Sequence, residues 1–176
     1  MIANVPEMHA KDLRAEPPRR WSDELGGIRW LPRMIDKARA AMTGTLGDYL
    51  YGECPIDRSL LRALGISYKD FTAIVRTAGD DDDKILAMLR ERSNPDLELA
   101  RKLSDRIAQT YRFFGFLLDV DDGYAAALQP FRGVIRVVSA LLARYARYRS
   151  PAKVSLIGLE IEHALFAGRA ALRELG

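Results

Sequence analysis

The sequence is poor in the residues that form disulfide and metal frameworks. It contains one cysteine and two histidines in 176 residues. A single cysteine cannot form an internal disulfide, and no Cys-x-x-Cys or Cys/His spacing is typical of a metal site. We therefore expect no metal and no other cofactor, and the scarcity of cysteine favours a reducing compartment.

Long apolar stretches are missing as well. The sequence has no run of about 18 apolar residues, the length that a membrane span needs, and residues 1–20 lack the apolar segment of a secretory signal. We expect a soluble, cytoplasmic protein without a transmembrane segment. A hydrophobic content of 48% is sufficient for the core of one domain, with or without an appendage.

Charge is nearly balanced overall but unevenly distributed. Residues 124–176 carry 8 Lys/Arg against 3 Asp/Glu, whereas residues 1–123 carry 19 against 21. A basic face of this kind could contact nucleic acid, but no nucleic-acid motif accompanies it, so we do not expect nucleic-acid binding. The small and apolar residues of the same region favour self-association instead, and we expect a homodimer.

The spacing of apolar residues predicts an all-α fold. Apolar positions recur at steps of three and four, without the period-two alternation that would indicate strands. Short connections favour a compact bundle of about six or seven helices. The predicted helices include residues 28–42, 57–64, one opened by a capping box between Ser67 and Asp70, a long one through Leu118, 131–148 and one after Pro151.

Prolines and charge divide the chain into three parts. Pro17 and Pro18 require an extended backbone, so residues 1–20 are predicted to form an arm. Residues 21–123 are predicted to form a helical core. Residues 124–176 are predicted to form a helical pair that packs on the core or mediates self-association.

The region 25–57 concentrates polar and turn-forming residues that a helical core does not require. Its LGG, LPR, IDKARA, GTLG-acid-Tyr and CP-hydrophobic-Asp run resembles the signature of the bacterial domain-of-unknown-function family 5069. The resemblance covers about residues 11–92, extends more weakly to 123, and does not include 124–176. Its less specific parts are DLRAEPPR at residues 12–19 and FFGFLLDVDDG at residues 113–123. The Trp-Asn-containing segment expected after Arg92 is missing. The resemblance implies a small, mostly helical protein and assigns no catalytic residue.

Four charged residues of the predicted helix 28–42 form a first candidate set: Arg33, Asp36, Lys37 and Arg39. Asp36 lies one turn from both arginines, a spacing at which ion pairs form on any exposed helix and contribute about 0.3 kcal/mol each. One interpretation is therefore a solvated face. The other is a site in which the cations bind a carboxylate or phosphate, and Asp36 positions them or acts as a base.

A connection interrupted by glycines carries a second set, which comprises Asp48, Tyr49, Tyr51, Cys54 and Asp57. Loops held by rigid helices often carry binding groups, which favours a site. Alternatively, the tyrosines cover the edge of the core, Cys54 is a small buried residue and Asp57 is a helix N-cap. A nucleophilic Cys54 would need a base, and neither histidine is close in the sequence.

Acidic clusters and a Glu-x-x-His pair invite a metal interpretation that the sequence does not favour. Residues 80–83 directly precede apolar helical positions, where acids cap a helix and complement its dipole. Residues 119–123 lack the alternating ligands and final glutamate of a calcium loop. Glu160 and His163 would supply only half of a dinuclear ligand set.

These patterns predict that a small anionic ligand or metabolite binds in a polar pocket formed by residues 25–57. The predicted ligand-binding residues are Arg33, Lys37, Arg39, Tyr49, Tyr51 and Asp57. An alternative is an enzyme acting on a small metabolite in that pocket, with aspartate as acid–base and a tyrosine as proton donor. Its catalytic candidates are Asp36, Asp48, Tyr49, Tyr51 and Cys54. A third alternative is a structural or interaction protein in which the signature only specifies the fold.

Overall fold

The computed structural model describes residues 8–52, 54–92, 97–110, 112–135 and 137 of the chain. Within these ranges the backbone forms helices joined by short connections, and one small antiparallel hairpin. The elements are β1 (Glu24–Leu25), β2 (Ile28–Arg29), α1 (Leu31–Thr43), α2 (Pro55–Ala63), α3 (Tyr68–Ala78), α4 (Asp82–Arg92), α5 (Leu97–Thr110), α6 (Arg112–Asp122) and a 3-10 helix (Ala126–Phe131). The prediction of an all-α fold is confirmed.

Helix α1 is enclosed by the rest of the bundle. Every residue from Leu31 to Ala40 is buried, and Gly44 ends the helix in the left-handed conformation with φ of 74°. Pro32 is tolerated in the first turn, where a backbone N–H has no intrahelical partner. Because the polar side of α1 is as buried as its apolar side, each charged side chain on it needs a counter-charge.

Helix α3 begins at the predicted capping box. The hydroxyl of Ser67 accepts a hydrogen bond from the Asp70 backbone N–H at 3.1 Å, and the Asp70 carboxylate accepts one from the Ser67 N–H at 3.2 Å. Phe71, Ile74 and Val75 on this helix are fully buried. The start of α3 and its inward face are therefore as the sequence predicts.

The acidic run 80–83 contributes to the start of α4. The Asp81 carboxylate accepts a hydrogen bond from the Lys84 backbone N–H at 2.8 Å, which satisfies one of the free N–H groups of the first turn. Asp80 accepts a hydrogen bond from the backbone N–H of His9 at 2.7 Å. The run thus caps a helix, as predicted, and also holds the arm.

The hairpin formed by β1 and β2 is not evident from the sequence. Its register pairs Leu25 with Ile28, so Gly26 and Gly27 form the turn, with φ values of 60° and 78°. Two successive positive φ values are typical of the tight turns that join twisted strands, and glycine adopts them without strain. Strands of two residues are too short to show an alternating pattern.

Three further helix predictions differ in extent or lie outside the described residues. The predicted long helix is described as α5, ending at Thr110, and α6, beginning at Arg112. Residue 111 lies outside the described residues, as does most of the predicted helix 131–148. The predicted last helix, with Glu160 and His163, lies wholly outside them.

The arm over residues 8–20 contains no helix or strand and lies against the bundle. Leu13 is buried in a small cluster with Ala40 and Tyr49, and its backbone N–H donates a hydrogen bond to the Thr45 carbonyl at 2.9 Å. These contacts place the arm beside the loop that follows α1. The division of the chain at residues 20 and 123 stays a prediction.

Close packing of Trp21 against α6 makes Gly115 a test of the fold. A methyl group on Gly115 would overlap the indole ring of Trp21, whereas one on Gly133 would meet no atom within 4 Å. We predict that Gly115→Ala lowers the free energy of unfolding by about 1–3 kcal/mol through overpacking. Gly133→Ala should instead be neutral or stabilising by up to about 1 kcal/mol, because alanine favours helix.

Urea unfolding of the two variants measures this difference directly, since both carry the same substitution at a helical position. Equal stabilisation of both variants would show that Trp21 does not pack on α6 as described.

Candidate functional site

Lys37 on α1 forms a buried ion pair with Asp57 on α2. Its Nζ donates hydrogen bonds to the two Asp57 carboxylate oxygens at 2.8 and 2.6 Å, and the two side chains are 3% and 0% exposed. Trp30 Nε1 donates a third hydrogen bond to the same carboxylate at 2.8 Å. Asp57 therefore neutralises Lys37, and the N-cap interpretation is wrong, because Cys54 is the N-cap residue of α2 and makes no side-chain capping bond.

Trp30 adopts a strained backbone conformation to reach this pair. Its φ of 71° lies in the left-handed region, which costs a non-glycine residue about 1–3 kcal/mol. The hydrogen bond to Asp57 and the placement of Lys37 Nζ 5.5 Å from the indole centroid hold the side chain there. Strain of this kind persists only where the surrounding contacts determine the conformation.

Arg33 forms a second buried pair, with Asp122 at the end of α6. The guanidinium Nη1 lies 2.7 Å from Asp122 Oδ2, and the Tyr49 hydroxyl donates a hydrogen bond to Asp122 Oδ1 at 2.7 Å. Arg33 also lies over the rings of Trp30 and Tyr49, with the guanidinium carbon 5.3 and 5.4 Å from their centroids. Burial opposes the Arg33 charge, but Asp122 outweighs it and raises the pKa of the guanidinium.

The remaining two charged residues of α1, Asp36 and Arg39, belong to a network of alternating negative and positive side chains. Asp36 accepts hydrogen bonds from the backbone N–H of Arg19 at 2.8 Å and from its guanidinium. Arg19 also pairs with Asp82, whose other oxygen lies 2.8 Å from Arg39 Nη2. Arg39 in turn donates hydrogen bonds to the Gly79 carbonyl at 2.8 and 3.0 Å. This ion-pair network joins the arm, α1 and α4.

All four charged residues of the first candidate set are therefore buried and paired. The alternative of a solvated face is wrong, because Arg33, Asp36, Lys37 and Arg39 are each at most 7% exposed. Breaking such a pair would leave an uncompensated buried charge. As they stand in this structure, these groups hold elements of the chain together.

Tyr51 and Cys54 lie against the core rather than at a cleft. The Tyr51 hydroxyl shares a hydrogen bond with Thr72 Oγ1 at 2.9 Å, and its ring centroid lies 4.4 Å from that of Tyr68. Burial raises the pKa of Tyr51 above its usual range. Burial likewise raises the pKa of the Cys54 thiol, and the nearby Asp57 carboxylate adds to this. Both groups therefore keep their protons at neutral pH.

A cavity of about 400 Å³ lies between the arm, the loop after α1 and the end of α6. We call it the arm cavity. Five of its lining residues come from the arm, three from the loop and two from the C-terminal side of the described chain: Leu13, Arg14, Ala15, Glu16, Pro17, Gly47, Asp48, Tyr49, Asp122 and Arg132.

Several charges on the wall of the arm cavity are already neutralised. Arg14 donates two hydrogen bonds to the carboxylate of Asp12, both at 2.7 Å, and this contact lowers the pKa of Asp12 to about 2. Asp122 is paired with Arg33 and Tyr49. Burial and the neighbouring Asp122 carboxylate raise the pKa of the Tyr49 hydroxyl, so it stays protonated.

Three charges on this wall have a distant partner or no partner among the described residues. Glu16 Oε2 lies 4.0 Å from Lys11 Nζ, which is too long for a hydrogen bond. The exposed side chain of Asp48 makes no hydrogen bond or ion pair with any other described residue. Arg132 Nε lies 3.8 Å from Asp121 Oδ1, which is too long for a hydrogen bond, and this buried nitrogen has no hydrogen-bond partner among the described residues. The arm cavity therefore offers two carboxylates, those of Glu16 and Asp48, and the guanidinium of Arg132 to an additional partner.

The predicted site residues do not converge as a group. Asp48 and Tyr49 line the arm cavity, and Arg33 contacts it through Tyr49 and Asp122. The residues that lie away from it, within the bundle, are Lys37, Arg39, Tyr51, Cys54 and Asp57.

Sequence reasoning did not identify four charged residues of the arm cavity. Arg14 and Glu16 belong to the DLRAEPPR segment, and Asp122 belongs to FFGFLLDVDDG, so the weaker parts of the resemblance carried a signal. Nothing in the sequence distinguishes Arg132 from the other arginines of the basic C-terminal region.

The sequence comparison identifies the family of the chain. Residues 15–109 match the model of the family described as Domain of unknown function (DUF5069), and the chain belongs to this family. No curated protein matches the sequence. The matched residues include both members of the Lys37–Asp57 pair, whereas Asp122 and Arg132 lie beyond the match.

The described ranges contain neither a membrane-spanning helix nor a metal-binding cluster. No helix there combines the length and the apolar composition that a membrane span requires. No group of three or more His, Cys, Asp and Glu side chains in the same ranges is arranged to hold a metal ion.

The raised pKa of Cys54 predicts that its thiol reacts slowly with alkylating reagents. At neutral pH, iodoacetamide should alkylate the native protein more slowly than the same protein unfolded in urea, because only the thiolate reacts. Cys54 is the only cysteine, so a single mass increment reports on it. A native rate equal to or above the unfolded rate would indicate a thiolate and would restore Cys54 as a nucleophile.

Proposed function

We propose that the protein binds a small anionic ligand in the arm cavity. The observation that carries this proposal is the convergence of three separate segments on one polar cavity of about 400 Å³. Small-molecule sites have volumes of about 300–1,000 Å³ and contain a few convergent polar groups. The proposal keeps the ligand class that the sequence predicts and places it beside residues 47–49 instead of at the α1 charges.

Arg132 is the residue that we assign to the anion. Asp121 lies nearest to the buried Nε, whereas the side chain as a whole is 37% exposed, so a ligand carboxylate or phosphate would contact the Nη groups of the guanidinium. Arg14 lies at the opposite, arm side of the cavity, but Asp12 neutralises its charge and occupies two of its N–H groups. Lys37 and Arg39 take no part, because Asp57 and Asp82 occupy them.

Binding is better supported than catalysis. A tyrosine proton donor works best when its pKa is near the working pH, but burial raises the pKa of Tyr49 and Tyr51. Of the two predicted acid–base aspartates, Asp36 is held by Arg19, and Asp48 is exposed to solvent. The third alternative, in which the signature specifies the fold, describes the role we assign to the α1 charges.

The proposal predicts that Arg132→Gln weakens anion binding. We would titrate phosphate, succinate and glutamate into the protein at constant ionic strength and measure the dissociation constant by calorimetry. For the probe that binds most tightly, Arg132→Gln should raise the dissociation constant about tenfold or more, because a hydrogen bond to a charged group contributes about 1.5–3 kcal/mol. Arg132→Lys should recover part of the loss.

Arg90→Gln is the matched control. Arg90 is exposed on α4 and does not line the arm cavity, so its substitution removes one positive charge without changing the site. Binding should then be unchanged. If none of the three probes binds, or if the Arg132 and Arg90 variants respond identically, the arm cavity is not an anion site.

A further inference from the structure

The charges of the arm cavity that remain available are of opposite sign. Within the described part of the chain, Asp48 has no hydrogen-bond or ion-pair partner, Glu16 has only a 4.0 Å contact to Lys11, and Arg132 has only a 3.8 Å contact to Asp121. Asp12 neutralises Arg14, and Arg33 neutralises Asp122. The wall therefore presents two carboxylates, those of Asp48 and Glu16, and one guanidinium, that of Arg132, to a ligand.

The position of Asp48 is set by close packing of its loop against the arm. A Cβ atom on Gly47 would lie 3.2 Å from the Leu13 carbonyl oxygen, and the φ of Gly47 is +61°. Only glycine allows this approach without strain. The Leu13 N–H also donates a hydrogen bond to the Thr45 carbonyl at 2.9 Å. Asp48 is thus presented to the cavity from a fixed backbone.

A purely anionic ligand would not match this wall. It would bring a negative group near Asp48 with no cation to compensate, and like charges close together disfavour binding. A ligand that also carries a positive group would satisfy Asp48 and Arg132 together. The volume of about 400 Å³ lies near the lower end of the range of about 300–1,000 Å³ for ligand sites, which favours a small metabolite.

We propose that the arm cavity binds a small zwitterion, whose carboxylate or phosphate contacts Arg132 and whose ammonium group contacts Asp48. This inference rests on the proposed function and defines its ligand class. Asp48 is then the residue that determines specificity, because its carboxylate favours the binding of a zwitterion over that of an anion of the same length. Arg132 contributes to the binding of both.

The test compares ligands that differ only in the charge of one end. Linear ω-amino acids with two to six carbons, from glycine to 6-aminohexanoate, would each be titrated against the dicarboxylate and the diamine of equal length. A length series is used because the ligand length that spans the two groups is what the experiment determines. At the best length, the amino acid should bind at least tenfold more tightly than either symmetric ligand.

Asp48→Asn supplies the decisive variant. It should remove the preference for the amino acid over the dicarboxylate and leave dicarboxylate binding unchanged or stronger. The unfolding midpoint should not change, because Asp48 is exposed and makes no hydrogen bond or ion pair with the other described residues. Asp83→Asn, the same substitution at an exposed position of α4, should preserve the preference.

The outcomes separate the two proposals. If dicarboxylates bind as tightly as amino acids and Asp48→Asn has no effect, the protein binds anions but the zwitterion inference is overturned. If diamines bind as tightly as amino acids, Arg132 does not contact the ligand and the inference also fails. If no member of the three series binds, the proposed function and the inference fail together.

Discussion

Helix α1 carries four charged side chains into the interior, and each must find a counter-charge there. The counter-charges come from four different parts of the chain: Arg19 in the arm, Asp57 on α2, Asp82 on α4 and Asp122 on α6. Burying a charge without a partner costs several kcal/mol, so α1 can be enclosed only if all four parts dock in one arrangement. The charges thus select the architecture while the apolar residues stabilise it.

This constraint also positions the arm cavity. Pairing of Arg33 with Asp122 holds the end of α6 against Tyr49, whose hydroxyl bonds to the same carboxylate. Docking of Arg19 on Asp36 and Asp82 holds the arm on the other side. The cavity lies between these two attachments, so its walls are fixed although its lining comes from distant segments. Loops that carry binding groups are generally held by a rigid scaffold of this kind.

Local features could be predicted from the sequence and the tertiary charge pairs could not. The capping box of Ser67 and Asp70 depends on a spacing of three residues, which the sequence displays. The partner of Arg33 is 89 residues away, and no spacing along one helix indicates it. Asp48 and Tyr49 were predicted as site residues because glycines surround them, whereas Arg132 lies in a region with no distinguishing motif.

The central claim, that the α1 charges are structural, is tested most directly by a double-mutant cycle on Lys37 and Asp57. Urea unfolding would compare Lys37→Met, Asp57→Leu and the double variant with the native chain. Each single variant should lose about 3–5 kcal/mol by leaving a buried charge unpaired, and the double variant should lose far less than the sum. Single losses below about 1 kcal/mol, as for a surface pair, or fully additive losses would contradict the account.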